Sequence, residues 1–111
     1  MSAFAPMPDP PYYAVIFSTK VTNNLDGYPE MAEKMEALAQ GQPGYIGIES
    51  ARETAGIGIT VSYWQSEEAV LNWKAVAGHM LAQKVGKERW YDHYVLRVAK
   101  VERQYDGPEG R

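Results

Sequence analysis

The segment YYAVIFSTKV, Tyr12 to Val21, limits what this chain can fold into more than any other. Its β-branched and aromatic residues favour a strand, and its apolar side chains occupy both alternating faces: Tyr13, Val15 and Phe17 on one, Tyr12, Ala14 and Ile16 on the other. A strand with one face in water alternates apolar with polar. This one needs a cover on each side, so the chain must supply two layers or borrow one.

The rest of the sequence supplies covers for one side. After the turn signal Asn23 to Gly27, the segment Tyr28 to Gln40 begins with Pro29, which suits a first helical position, and stops at Gly41, which suits a left-handed cap. Met31, Met35 and Leu38 recur at helical spacing, so this helix buries one face. Tyr45 to Arg52, YIGIESAR, reads as a strand in which Gly47 leaves room for something to lie close. Ile57 to Gln65 alternates cleanly, with Ile57, Ile59, Val61 and Tyr63 facing one way and Gly58, Thr60, Ser62 and Trp64 the other, and the two segments form a hairpin. Ser66 followed by Glu67 and Glu68 starts a second helix. Its apolar face is Ala69, Val70, Trp73, Val76, Ala77 and Met80, and it is expected to end near Val85 at Gly86. Lys87 to Asp92 then connects to a final strand expected over Tyr94 to Tyr105.

The order β-α-β-β-α-β predicts an α+β, ferredoxin-like subunit, an antiparallel four-stranded sheet with two helices on one face. Its other face must meet a partner or enclose a ligand, and a homodimer is the simplest partner. With 111 residues, one domain is expected, over 12–105. Residues 1–11 carry four of the seven prolines and read as an extended, poorly ordered arm, and 106–111 as a flexible tail.

Composition narrows the function. The net charge is −3, and the longest basic cluster is Lys84 to Arg89, so neither a nucleic-acid nor an anionic-membrane footprint is present. The absence of cysteine excludes disulfides, thiolate metal sites and a cysteine nucleophile. No stretch approaches the ~20 apolar residues of a membrane span, and the start lacks the pattern of a signal peptide, so a soluble cytoplasmic protein is expected. Gly56-Ile57-Gly58 and Gly41 to Gly44 are not phosphate loops, because no strand-loop-helix context surrounds them.

The stretches QPGYIGIESAR (Gln42 to Arg52), SYWQSEEAVLNWK (Ser62 to Lys74) and GKERWYDHYVLRVAKVERQY (Gly86 to Tyr105) resemble the antibiotic biosynthesis monooxygenase (ABM) domain family. The run W-x-S-x-E-A-x-x-x-W-K from Trp64 is the most specific part of the resemblance, which covers 12–105. It implies a subunit whose sheet pairs face to face with a second copy, forming a dimeric α+β barrel. It also implies a cofactor-independent monooxygenase that oxidises a small aromatic or quinol-like metabolite with O₂. The alternative is a non-catalytic dimeric binding or stress-associated domain whose barrel is filled by its own side chains; a polar-lined pocket of ~300 Å³ or more counts against it. Haem-degrading members place their iron-ligating histidine at the position of Gln83, and His79 comes one turn early, a shift of ~5.4 Å, so haem degradation is disfavoured. No cofactor and no metal are expected.

Several residues have both a chemical and a packing reading. His79 sits on the flank of the second helix in line with Glu68, Asn72 and Gln83, where it either transfers protons with Asn72 beside it or is a boundary histidine bonded to backbone or water. Trp73, Tyr63, Trp64, Trp90 and Tyr91 either wall a substrate pocket or close the core and the end of the sheet. Arg97, between Val95 and Ala99 on one face of the last strand, either pairs across a dimer interface with an acid such as Glu49 or holds an anionic substrate oxygen.

Overall fold

The computed structural model describes residues 4–23, 26–53, 56–88 and 90–108, with 81–88 described by backbone alone. It contains β1 (Tyr12–Val21), α1 (Tyr28–Gln40), β2 (Tyr45–Arg52), β3 (Ile57–Trp64), α2 (Glu67–Glu88) and β4 (Tyr91–Val101). The strands form one sheet in the order β2-β3-β1-β4, each neighbouring pair antiparallel. This is the expected ferredoxin-like βαββαβ subunit.

Residues opposite one another in an antiparallel pair share a face, so the register sorts the sheet. Tyr13, Val15, Phe17 and Thr19 of β1 align with Trp64, Ser62, Thr60 and Gly58 of β3 and with Lys100, Val98, Leu96 and Tyr94 of β4. This face meets the helices: Val15 and Trp64 are buried in one cluster with Ala39 of α1 and Ala69, Val70 and Trp73 of α2. The centre of the cluster is a stacked pair, Trp64 on Trp73, with ring centroids 5.5 Å apart. Trp64 is fully buried, and its indole N–H is satisfied by Ser62 Oγ at 2.8 Å.

Two irregularities aim side chains. Tyr45 pairs with Trp64 but Gly47 with Tyr63, so Ile46 is the extra residue in β2. Lys20 pairs with His93 but Val21 with Tyr91, so Asp92 is the extra residue in β4, and Tyr91 rather than Asp92 turns toward the helices.

Helix α2 begins as expected, with Ser66 Oγ accepting the Ala69 N–H at 3.1 Å. Three expected boundaries differ. Helix α2 continues through Gly86 to Glu88, because a single glycine weakens a helix without stopping it. Strand β4 starts at Tyr91 and ends at Val101, three and four residues earlier than the periodicity suggests, because the bulge at Asp92 breaks the alternation near its start. Gly41 keeps right-handed dihedrals (φ −84°), and the left-handed turn falls on Gly44 (φ 84°), which packs against Ala69.

The second face of the sheet is partly covered by the chain's own N-terminal arm. A Cβ at Gly47 would lie 2.8 Å from both Ala5 Cβ and Pro6 Cδ, so the glycine admits the arm. The Ala5 N–H donates to Glu49 Oε2 at 2.8 Å, and Gln104 Nε2 donates to the Pro8 carbonyl at 2.8 Å. The arm thus spans from β2 to the segment after β4 at one end of this face, while Ile57 and Ile59 remain 53% and 45% exposed at the other. No helix among the described residues is long and apolar enough to cross a membrane.

Candidate functional site

A cavity of about 330 Å³ lies between the two helices and the sheet. It exists because the helix-facing positions of β2 and β3 are small and polar. Ser50, Thr60 and Ser62 lie where a closed core carries larger side chains, and Ile48 is their main apolar neighbour on the floor. Val15, Phe17 and Thr19 continue the floor along β1, and Leu96 and Tyr91 along β4. The roof is Tyr28, Met31, Ala32 and Met35 of α1 with Trp73 and Ala77 of α2, and Glu33 and Glu36 join the lining from α1.

One end of the cavity is organised by Arg52, the last residue of β2. Its Nη2 donates to Thr19 Oγ1 at 2.6 Å and to the Tyr28 hydroxyl at 3.1 Å, and its Nη1 donates to the Gly56 carbonyl at 3.3 Å. The guanidinium also stands 5.6 Å from the centre of the Tyr28 ring, within cation–π range. The rings of Tyr91 and Tyr28 meet edge to face at 5.7 Å. Burial, then the neighbouring Tyr28 hydroxyl, keep the Tyr91 hydroxyl protonated well above the usual tyrosine range, and the Arg52 charge offsets only part of this. At working pH Tyr91 is therefore a hydrogen-bond donor and not a base. Phe17 packs edge-on against Tyr91 at 5.6 Å and against Tyr94 at 5.5 Å, completing an aromatic wall.

The residues singled out from the sequence are distributed as follows. Trp73 and Tyr91 line the cavity. Trp64 lies behind Trp73 in the core. Trp90 is buried behind Tyr28, its indole N–H donating to the Asp26 carbonyl at 2.7 Å, so it supports the cavity wall from outside. Tyr63 faces the other side of the sheet, where its hydroxyl donates to Glu49 Oε1 at 3.0 Å; burial first, then Glu49, push its pKa up to about 12. Arg97 is exposed on that same opposite face, across from Ile16. Within the chain Glu49 is engaged by Tyr63 and the Ala5 amide. Asn72 and His79 are exposed on α2 and are not among the residues lining the cavity. The side chain of Gln83 lies outside the described residues.

Sequence reading passed over Arg52, Tyr28, Thr19 and the small polar set Ser50, Thr60 and Ser62. The signal was present in the alternation of IGITVSYW, where one face is apolar and the other small or polar. Periodicity marks two faces without saying which one the helices cover. Among the described residues, no group of three or more His, Asp or Glu side chains is placed to hold a metal ion.

No family model matches the chain. It is 50% identical over 104 residues to the uncharacterized protein YqjZ of Bacillus subtilis (strain 168), an alignment covering 94% of this chain and 91% of YqjZ. It is 27% identical over 92 residues to a jasmonate monooxygenase ABM of Pyricularia oryzae, covering 80% of this chain and 43% of that protein's length. Among solved structures, SnoaB, a cofactor-independent oxygenase from Streptomyces nogalater, superposes with a TM-score of 0.65 at 14% identity, covering 90% of this chain and 100% of SnoaB. Such a likeness at that identity establishes a shared fold. The chain belongs to the same family as YqjZ, and it shares its fold with SnoaB.

Proposed function

We propose that the protein is a cofactor-independent monooxygenase of the ABM type, oxidising a small aromatic or quinol-like metabolite with O₂ in the cavity between the helices and the sheet. The observation that carries this reading is the cavity: about 330 Å³, aromatic on one wall, with hydroxyls and one guanidinium converging at one end. The likeness to an oxygenase of known fold and to a protein named a jasmonate monooxygenase supports the same class. A non-catalytic domain filled by its own side chains is expected to have no such space.

The reaction balances without an external reductant. An activated methylene flanked by aromatic rings loses a proton to solvent, which later returns one to the peroxide anion, and the resulting enolate passes one electron to O₂. The radical pair joins as a hydroperoxide, which loses water to leave a carbonyl, so that R₂CH₂ + O₂ gives R₂CO + H₂O. Arg52 and the Tyr28–Tyr91 pair favour the enolate oxygen, and Phe17 and Trp73 hold the ring and exclude water. In this reading His79 and Asn72 touch no substrate.

Two copies pair through the open sheet face, where Ile57 and Ile59 are exposed and the arm leaves them uncovered. Light scattering tests this, with a dimer mass expected and a monomer mass contradicting it. For the chemistry, oxygen uptake with a panel of electron-rich phenols and anthrones is decisive. Uptake above the buffer rate with at least one compound is expected, and buffer-rate uptake throughout would sink the proposal.

A further inference from the structure

We infer that the Arg52 end of the cavity is an anion subsite, so that the molecule taken up is a small aromatic acid with one delocalised oxyanion. Its oxygens lie against Arg52 and the Tyr28–Tyr91 pair, and its ring against Phe17 and Trp73. The inference rests on the cavity being the substrate site and adds the charge of the substrate to that reading.

Four features carry it. First, among the described residues, the hydrogen bonds of Arg52 go to a threonine hydroxyl, a phenol and a backbone carbonyl, all neutral, so none of these cancels its charge. Arg52 is exposed on its outer side and stands at the mouth of the cavity, where a guanidinium favours an anion over a neutral oxygen even with part of its charge facing solvent. Second, the group is held in place before any ligand arrives, by those bonds and by Gly58 opposite, which leaves the space that the guanidinium crosses. Little side-chain freedom is then lost on binding. Third, the proton count leaves a donor over. The Tyr28 oxygen accepts from Arg52, so its own O–H remains to be donated, and the Tyr91 ring stands beside it edge to face at 5.7 Å. Fourth, the opposite part of the cavity repels a second anion. Glu33 and Glu36 both join the lining, about 7.5 and 12 Å further along α1 than Tyr28 from the rise of the helix, and the charge of Glu36 acts on Tyr45 at the far end of β2. The cavity is therefore polarised along its length, and a monoanion fits it while a dianion with acids at both ends does not.

The test is calorimetric binding of three probes to the full chain: 2-naphthoate, its neutral isostere 2-naphthamide, and 2,4-dinitrophenolate as an anion of the phenol type. At least one anion is expected to bind about tenfold more tightly than the amide. Preference for naphthoate alone identifies a carboxylic acid as the natural group, preference for dinitrophenolate alone an acidic phenol or enol, and either supports the inference. Arg52→Gln is expected to weaken the anions about tenfold more than it weakens the amide, and Arg52→Lys to retain part of the preference; the lysine variant serves if the glutamine variant fails to fold. Equal binding of amide and anions by the wild type, no binding of any probe, or a preference that survives in Arg52→Gln overturns it. Oxygen uptake is measured separately, so a cavity that prefers anions without turning over O₂ contradicts the oxygenase reading alone.

Discussion

Arg52 and Gly58 stand directly opposite one another on β2 and β3, and the guanidinium of the first crosses the bare Cα of the second; a Cβ at 58 would lie 2.8 Å from Arg52 Nε. The pair converts the end of a hairpin into the charged end of a cavity. Without the glycine, Arg52 could not lie flat toward Thr19 and Tyr28.

Gly58→Ala is therefore expected to act on the site more than on the fold. The displaced atoms belong to the tip of a flexible side chain, so the loss in stability should be about 1 kcal/mol or less by denaturant melt. Anion binding should weaken several-fold as Arg52 leaves Thr19 and Tyr28. An unchanged affinity would show that the glycine does not set the position of the guanidinium.

Ser62 is a core position occupied by a hydroxyl, and it satisfies the indole of fully buried Trp64. Ser62→Ala leaves that N–H without its partner, at a cost of about 1–3 kcal/mol, whereas Ser62→Thr keeps the acceptor. Urea unfolding of the two variants separates loss of the bond from the change of volume. A Ser62→Ala protein as stable as the wild type would mean that the bond contributes nothing.

Much of this fold was legible in the sequence, and much of the site was not. The bounds of β1, α1 and β2 follow from strand and helix periodicity and from the turn residues between them, because those signals are local. The end of α2 was misread because Gly86 resembles a stop, although nothing there prevents the helix continuing. The cavity was hidden because alternation alone does not say which face the helices cover, that of Thr60 and Ser62 or that of Ile57, Ile59 and Val61. Here those residues form the open side, and the less conspicuous Thr60 and Ser62 face the helices. Arg52 escaped notice because its partners, Thr19 and Tyr28, are distant in sequence.

The Tyr63 hydroxyl makes alkaline stability informative. Its pKa rises to about 12 in the folded protein, against about 10 in an unfolded chain. The folded state then binds more protons than the unfolded state between these values, so this contribution is constant below pH 10 and is lost as pH rises from about 10 to about 12. Stability measured across that range should fall less steeply in Tyr63→Phe than in the wild type. Equal slopes would remove Tyr63 from the account.

Deleting residues 1–10 removes the amide that donates to Glu49 and the cover over Gly47. The truncated chain is expected to lose about 1 kcal/mol, or roughly 4–8 °C of melting temperature for a domain of this size. Gly47→Val should give a similar loss by evicting Ala5 and Pro6, together with faster proteolysis near the N-terminus. A melting temperature unchanged by both alterations would mean that the arm contributes no stability.

The central claim is that oxygen chemistry takes place in the cavity on the helix side of the sheet. Incubation of the wild type and Thr60→Phe with dithranol under ¹⁸O₂ tests it most directly, since the larger side chain fills the floor of the cavity and removes none of the hydrogen-bond partners of Arg52. One labelled oxygen per product molecule is expected from the wild type. A kcat/KM lower by about tenfold or more is expected from a Thr60→Phe protein whose circular dichroism is unchanged. Unlabelled product, or a folded Thr60→Phe protein that turns over at the wild-type rate, would contradict the claim.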